Sequence, residues 1–357
     1  MDTKKITYMA VALMWLTTTE NQAAVFKYCG NTAFSENKVS LTDVANKIEA
    51  TDTSRVYNLD EVVIVSQPKE ALLLRQQPLS SSMFTGNDIN SLGITDLSML
   101  ASYVPSFAMP AYGSRLTSSM YIRGIGSRVN NPAIGIYVDG IPMVNKSAFN
   151  IHTYQIDRAD ILRGPQGTLY GMNTEGGLLR LYTKNPMKYQ GTDIHLGLGT
   201  HFQRDFEAAH YGKLGDNAAF SIAGFYSGSN GFFKNQTTGN RADNYNEAGG
   251  KARFVSRLTD RFTIDFTADY QYVNQNAFPY GLLDITTNNV ESPSANRLNS
   301  YKRNMLNTGL NLKYATDKFT LTSTTSYQFM DDCMMMDQDY LASDFMHLEQ
   351  RQLTNAI

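Results

Sequence analysis

From about residue 190 onward, apolar and polar side chains alternate along the chain. Phe262, Ile264, Phe266, Ala268, Tyr270 and Tyr272 hold one parity, and Thr263, Asp265, Thr267, Asp269 and Gln271 the other. Leu306, Thr308, Leu310, Leu312 and Tyr314 repeat this against Asn307, Gly309, Asn311 and Lys313. So do Phe319, Leu321, Ser323, Thr325, Tyr327 and Phe329 against Lys318, Thr320, Thr322, Thr324, Ser326 and Gln328. A period of two marks strands with one greasy and one wet face. The pattern predicts about eight strands, near 191–199, 203–213, 217–228, 245–258, 261–273, 304–315, 317–330 and 345–357. Tight turns at Leu214-Gly215-Asp216, Thr259-Asp260 and Thr316-Asp317 alternate with long polar connections at 229–244, 274–303 and 331–344. Short turns on one side and long loops on the other are how outer-membrane barrels are built. Several runs have the length a tilted strand needs to cross a bilayer, beyond that of an average soluble strand. The expectation is an antiparallel transmembrane β-barrel. Eight strands enclose a space that only just holds side chains, too narrow for the other half of the chain, so the barrel reads as incomplete.

The front half has a different grammar. Residues 86–104 show helical spacing, with Thr85 or Asn87 as cap, Ile89, Leu92, Leu97 and Leu100 on one face, and Pro105 as the stop. Residues 106–185 are glycine-rich, with short strands expected at Met120–Arg123, Ile134–Asp139, Asp160–Leu162 and Leu178–Thr183. Together they predict a small α+β domain over 67–186, followed by the barrel part over 187–357. Ahead of it, Leu59 to Val65 is an acidic pair running into four β-branched residues, and 25–58 reads as a mobile polar arm. Lys4 and Lys5 precede the apolar run Ile6–Leu16, which has the form of a signal peptide over 1–24 and is too short to span a bilayer as a helix.

Composition narrows the function. Charged residues are 18%, below the roughly 25% of an ordinary soluble domain, while Tyr and Phe are abundant, as strands favour. A net charge of −2 gives no basic footprint for nucleic acid. Cys29 and Cys333 form no CxxC knuckle, and His152, His195, His201, His210 and His347 lack ligand spacing, so no metal site is expected. Cys333 with Met334, Met335 and Met336 reads as a loop-to-strand stretch rather than a soft-metal site. Gly164-Pro165-Gln166-Gly167 is not followed by Lys-Ser/Thr, which excludes a phosphate loop. No catalytic constellation is present, and neither an enzyme nor a cofactor is expected.

Four segments in order carry a resemblance. Asp157 to Lys184, DRADILRGPQGTLYGMNTEGGLLRLYTK, resembles the plug signature of TonB-dependent receptors. Asp60-Glu61-Val62-Val63-Ile64-Val65 looks like a TonB box within 59–66, Tyr121-Ile122-Arg123-Gly124 like the first arginine motif of the plug, and Ile136 to Pro142 like its central strand and turn. The LRGPQGTLYG form is similar to the iron-complex, or siderophore, branch. The resemblance implies an α+β plug inside a barrel of roughly 22 strands. About eight of these are visible, so the chain is expected to be a truncated, non-transporting fragment of a cell outer-membrane receptor surrounded by lipid. It implies TonB, with its inner-membrane energising complex, as partner at Asp60, Glu61, Val62, Val63, Ile64 and Val65. It implies a plug–barrel lock at Arg123 and Arg163, which meet glutamates of the wall. Loops 107–118 and 124–133 would face the cargo, a small-molecule metal chelate and most simply a ferric one, through Tyr112, Arg115, Arg128, Asn130 and Asn131. Another cargo (cobalamin, another metal complex or an oligosaccharide) and a plug-like interaction module without transport are the alternatives. Glu175, and the bulk of Leu178-Leu179, depart from the family pattern.

Overall fold

The computed structural model describes residues 80–114, 118–127, 132–340, 342–343 and 347–356. The signal segment, the arm, the expected TonB box, Arg115, Arg128, Asn130 and Asn131 lie outside these residues.

The front half is built on a mixed five-stranded sheet. β1 (Ser80–Thr85) leads into two short helices, α1 (Gly86–Ser91) and α2 (Leu97–Ala101). The expected single helical stretch is thus divided. Gly93 takes a left-handed φ of 64° and turns the chain, and Asp96 starts a second helix by accepting from the Met99 N–H. Thr85 caps the first helix in a reciprocal capping box with Asp88. β2 (Phe107–Ala108), β3 (Tyr121–Ile122) and β4 (Ile125–Gly126) form a small separate sheet. β5 (Ile134–Val138), β6 (Ile141–Pro142), β7 (Ile156–Arg163) and β8 (Gly177–Thr183) complete the main one in the order β1-β7-β8-β5-β6, with α3 (Gly167–Tyr170) between β7 and β8. β5 and β8 are parallel and the other pairs antiparallel.

Every residue of β8 is buried, which suits a central strand covered on both faces. Leu178 and Leu179 are therefore core residues, while Glu175 is exposed, so its charge costs nothing in packing. The core joins Ile89, Leu97 and Leu100 of the helical segment to Ile122, Ile134, Ile136, Ile161, Leu179 and Leu181 of the strands. One charge sits inside it. Arg180 and Asp160 are cross-strand partners, both buried, with Nη2 and Oδ2 3.1 Å apart. The Tyr170 hydroxyl accepts from Arg180 Nη1 at 2.9 Å. Arg158 Nε lies 3.1 Å from the other Asp160 oxygen, and a buried ion pair is tolerated where such partners surround it.

The back half is one antiparallel meander of eight strands: β9 (Gly191–Gly199), β10 (Gln203–Lys213), β11 (Ala218–Ser229), β12 (Tyr245–Thr259), β13 (Phe262–Asn276), then β16 (Ser300–Ala315), β17 (Thr320–Asp337) and β18 (His347–Ala356). A small hairpin, β14 (Leu283–Asp284) and β15 (Asn289–Val290), sits within the connection from β13 to β16. Among the described residues the sheet is open, with β9 and β18 at its edges. The alternation settles its faces. Ile194, Leu198, Ile222 and Phe266 point away from the front half and are exposed, whereas Thr267, Gln271, Arg303 and Met305 face it and are buried. The strands outrun the expected limits on the long-loop side. β16 begins at Ser300, and β17 continues through Asp331 to Asp337, a stretch whose acids and methionines read as loop. In the structure Met330, Asp332 and Met334 keep the inward parity and are buried, and the Tyr301 hydroxyl donates to Asp332 at 3.0 Å.

Candidate functional site

The candidate site is the seam between the front domain and the wet face of the wall. It begins at the β5–β6 turn. Asp139 and Gly140 both take positive φ, 51° and 84°, the geometry an Asp-Gly hairpin turn supplies readily. The turn drives the Asp139 side chain into the wall. Its carboxylate accepts from the Thr183 N–H and hydroxyl at 2.8 Å each, from Lys251 Nζ at 2.6 Å and from Arg253 Nη1 at 3.4 Å. Arg253 also grips Asp265 with two bonds, at 3.0 and 2.7 Å. The Asp139, Lys251 and Arg253 side chains are all more than nine-tenths buried. Burial pushes the Asp139 carboxyl up, but Lys251, Arg253 and the Thr183 N–H outweigh it and hold the group well below the usual carboxylate range. The next plug residue, Ile141, fits a notch at Gly309, where an added Cβ would meet the Ile141 Cδ1 at 1.9 Å. Only glycine leaves room there.

Two further contacts fasten residues 143–155. Arg303, 1% exposed, donates to the carbonyl oxygens of Ser147 at 2.5 Å and Asn150 at 3.5 Å. Gln328 accepts from the N–H groups of Val144 and Asn145, 3.3 Å each, and donates to Asn307 at 2.7 Å. Beyond them, the Tyr154 hydroxyl donates to Asp269 at 2.5 Å. Burial, then the Asp269 charge, pushes that hydroxyl well above its ordinary pKa. The Tyr154 and His152 rings pack on Phe225, at 4.7 and 4.2 Å. A cavity of about 420 Å³ remains between the front domain and β9–β10, with Asn90, Thr95, Gln155, Lys184, His195 and Glu207 in its lining.

On the long-loop side, Tyr112 has a left-handed backbone, φ 43°. Its carbonyl accepts from the Tyr280 hydroxyl, and the Gly113 carbonyl accepts from the Phe278 N–H at 2.8 Å. Tyr280 in turn meets Tyr340 edge-on at 5.2 Å. The connection between β13 and β16 thereby fixes this apex. Arg123 is exposed, with φ 52°, and its N–H donates to the Ser106 carbonyl. Arg163 Nη1 donates to the Pro105 carbonyl at 3.2 Å, within the plug. Among the described residues, the plug acid Asp139 meets the wall bases Lys251 and Arg253, and the plug base Lys184 meets the wall acid Asp193 at 2.7 Å. Asp139, Lys251, Arg253, Arg303 and Gln328 were not singled out from sequence. One signal was present: Lys251 and Arg253 occupy the inward parity of β12, beside outward Ala252 and Phe254.

With this geometry in place, comparison with known proteins is informative. Residues 74–178 match the family described as TonB-dependent Receptor Plug Domain. The front half of the chain thus matches a TonB-dependent receptor plug domain. Its curated relatives are named as receptors. The pesticin receptor of Yersinia pestis is 28% identical over 127 residues, 35% of this chain and 19% of that protein. The ferrioxamine B receptor of Salmonella typhimurium is 25% identical over 222 residues, 58% of this chain and 30% of that protein. The chain therefore spans less than a third of the length of these curated relatives. Among solved structures, the ferric yersiniabactin uptake receptor from Yersinia pestis superposes with a TM-score of 0.65 at 22% identity, over 72% of this chain and 42% of that one. The ferripyoverdine receptor of the outer membrane of Pseudomonas aeruginosa gives 0.62 at 17%, over 75% and 37%. At these identities the likeness is one of fold: a plug against a receptor wall.

Proposed function

We propose that this chain supplies the plug and part of the wall of an outer-membrane receptor that takes up a ferric, siderophore-like chelate when TonB pulls on Asp60–Val65. The observation that carries the proposal is the polar seam. A domain held in a wall by ion pairs and hydrogen bonds, which water can replace, suits a part that must shift to let cargo by. Relatives named for ferrioxamine B, ferric yersiniabactin and ferripyoverdine support an iron-chelate cargo. Tyr112, Arg115, Arg128, Asn130 and Asn131 are its proposed contacts, since Arg and Tyr recognise anionic and aromatic groups by charge, stacking and hydrogen bonding. Asp60–Val65 would join an exposed sheet edge of TonB as an added strand. TonB would bring energy from its inner-membrane complex, which the outer membrane cannot supply. Enclosing the plug needs more strands than the eight described, and Arg123 and Arg163 would meet wall carboxylates outside those eight.

The test is accumulation of radioiron, offered as several ferric chelates, by cells producing the protein with and without TonB. The expected result is TonB-dependent accumulation that Val63→Pro abolishes while chelate binding persists. Arg115→Ala with Arg128→Ala should weaken binding itself. Binding of cobalamin or an oligosaccharide, with no ferric chelate bound, would overturn the cargo.

A further inference from the structure

We propose that the plug holds apart a cross-strand ion pair of the wall, Lys251 and Asp269, so that undocking exchanges one set of partners for another instead of leaving charges unpaired. The inference rests on the reading that the plug leaves its seat. Lys251 on β12 and Asp269 on β13 are direct register partners. Both have inward parity, and both line one small cavity of about 50 Å³ between plug and wall. Directly opposed residues on antiparallel strands have Cβ atoms about 5 Å apart, within reach of a lysine–aspartate bond. Yet each is turned to the plug. Lys251 Nζ donates to Asp139 at 2.6 Å and to the Thr183 hydroxyl at 3.4 Å. Asp269 accepts from the plug's Tyr154 hydroxyl, and on the wall from Gln271 Nε2 at 3.2 Å and from the Asn307 side chain.

Arg253 needs no such exchange, because Asp265 on the wall holds it with two bonds whether or not Asp139 is present. When the plug withdraws, Lys251 loses Asp139 and Asp269 loses Tyr154. What remains is a lysine facing an aspartate across two paired strands, next to a space in which the ammonium can swing. A charge left without a partner would oppose undocking, and a ready partner lowers that opposition by the amount a partly solvated pair contributes. The wall is thus arranged to accept the plug's departure as well as its presence.

The test uses the full chain in detergent, with Cys29→Ser, Cys333→Ser and Ser147→Cys, so that a maleimide reports when the buried Ser147 position opens. Tyr154→Phe is included in each protein compared, to remove the docked-state bond to residue 269. There, Asp269→Asn should slow labelling about fivefold, about 1 kcal/mol, the size of a partly solvated pair. The same change should have no effect once Lys251→Met is present. A static lock gives the opposite result, and equal or faster labelling with Asp269→Asn would overturn the proposal. A second readout needs no variant. Carbodiimide joins a carboxylate to a lysine amine as an amide with net loss of one water. It should link Lys251 to Asp139 in the native protein and Lys251 to Asp269 in urea that undocks the plug. Retention of the Asp139 link alone would overturn the proposal. Labelling that begins only as the wall melts would overturn the undocking reading itself, whereas early labelling indifferent to residue 269 would overturn this proposal only.

Discussion

The plug's interior and its seam with the wall are held by different physics. Inside, Leu97, Leu100, Ile122, Ile136, Ile161 and Leu179 are fully or almost fully buried in one apolar cluster, and the Arg180–Asp160 ion pair is locked between neighbouring strands. At the seam, apolar contact is confined to patches, with Met305 and Met330 joining that cluster, Ile141 in its notch and the Tyr154 ring against Phe225, while the fastening between them is polar: Asp139, Thr183, Lys251, Arg253, Arg303, Gln328 and Tyr154 with Asp269. Apolar burial is non-directional and lost all at once on exposure to water. Polar contacts fix a register, and water can satisfy both halves once they separate. The difference predicts that the plug can part from the wall before it loses its own fold.

That contrast can be broken or sharpened by substitution. Asp139→Ala leaves Lys251 and Arg253 buried beside an empty position and should weaken docking by about 3–5 kcal/mol while the plug's secondary structure persists. The urea midpoints of undocking and of plug unfolding, followed separately by thiol labelling and circular dichroism, check this. Leu100→Ala should do the reverse, lowering the plug's own stability by about 2–5 kcal/mol with little effect on the seam's ion pairs. If the two variants move both midpoints together, plug and seam are one cooperative unit. Gly309→Val should push Ile141 from its notch and weaken docking by about 1–3 kcal/mol, with Ile141→Ala restoring much of it. The mildest perturbation is acid. The folded pKa of Asp139 lies below its ordinary value near 3.8, so its contribution is complete above that value and fades as the pH falls through the lowered one. Docking should be level from neutrality to about pH 4 and loosen below it, and Asp139→Asn should flatten the profile.

Much of this architecture was legible as pattern. The two-residue period placed the eight wall strands, because each residue's face follows from parity and from nothing distant. The errors share a cause. Asp331, Asp332 and Asp337 suggested a loop, but Asp332 is inside the wall because Tyr301 meets it, a partner parity alone cannot announce. Residues 86–104 read as one helical stretch because Leu92 keeps the spacing, yet Gly93 breaks it and leaves Leu92 exposed. The seam was the least legible part. Asp139 and Lys251 are 112 residues apart, and their match exists only once a hairpin turn and a strand face have been brought together. Arg180 had a fainter mark, as a base in an apolar run with Asp160 in another, and the register of β7 on β8 made them a pair.

The unequal strands have a consequence for the rim of the wall. β9 has nine residues and β17 has eighteen. At about 3.3 Å per residue and a tilt near 40°, they rise roughly 23 and 45 Å along the membrane normal, against an apolar band of about 25 Å. The short strand falls about 2 Å short of that band, while the long one exceeds it by about 20 Å. The mouth is therefore bevelled, low beside β9 and walled high beside β17. On the proposed reading, a bulky solute would find its open approach over the low sill.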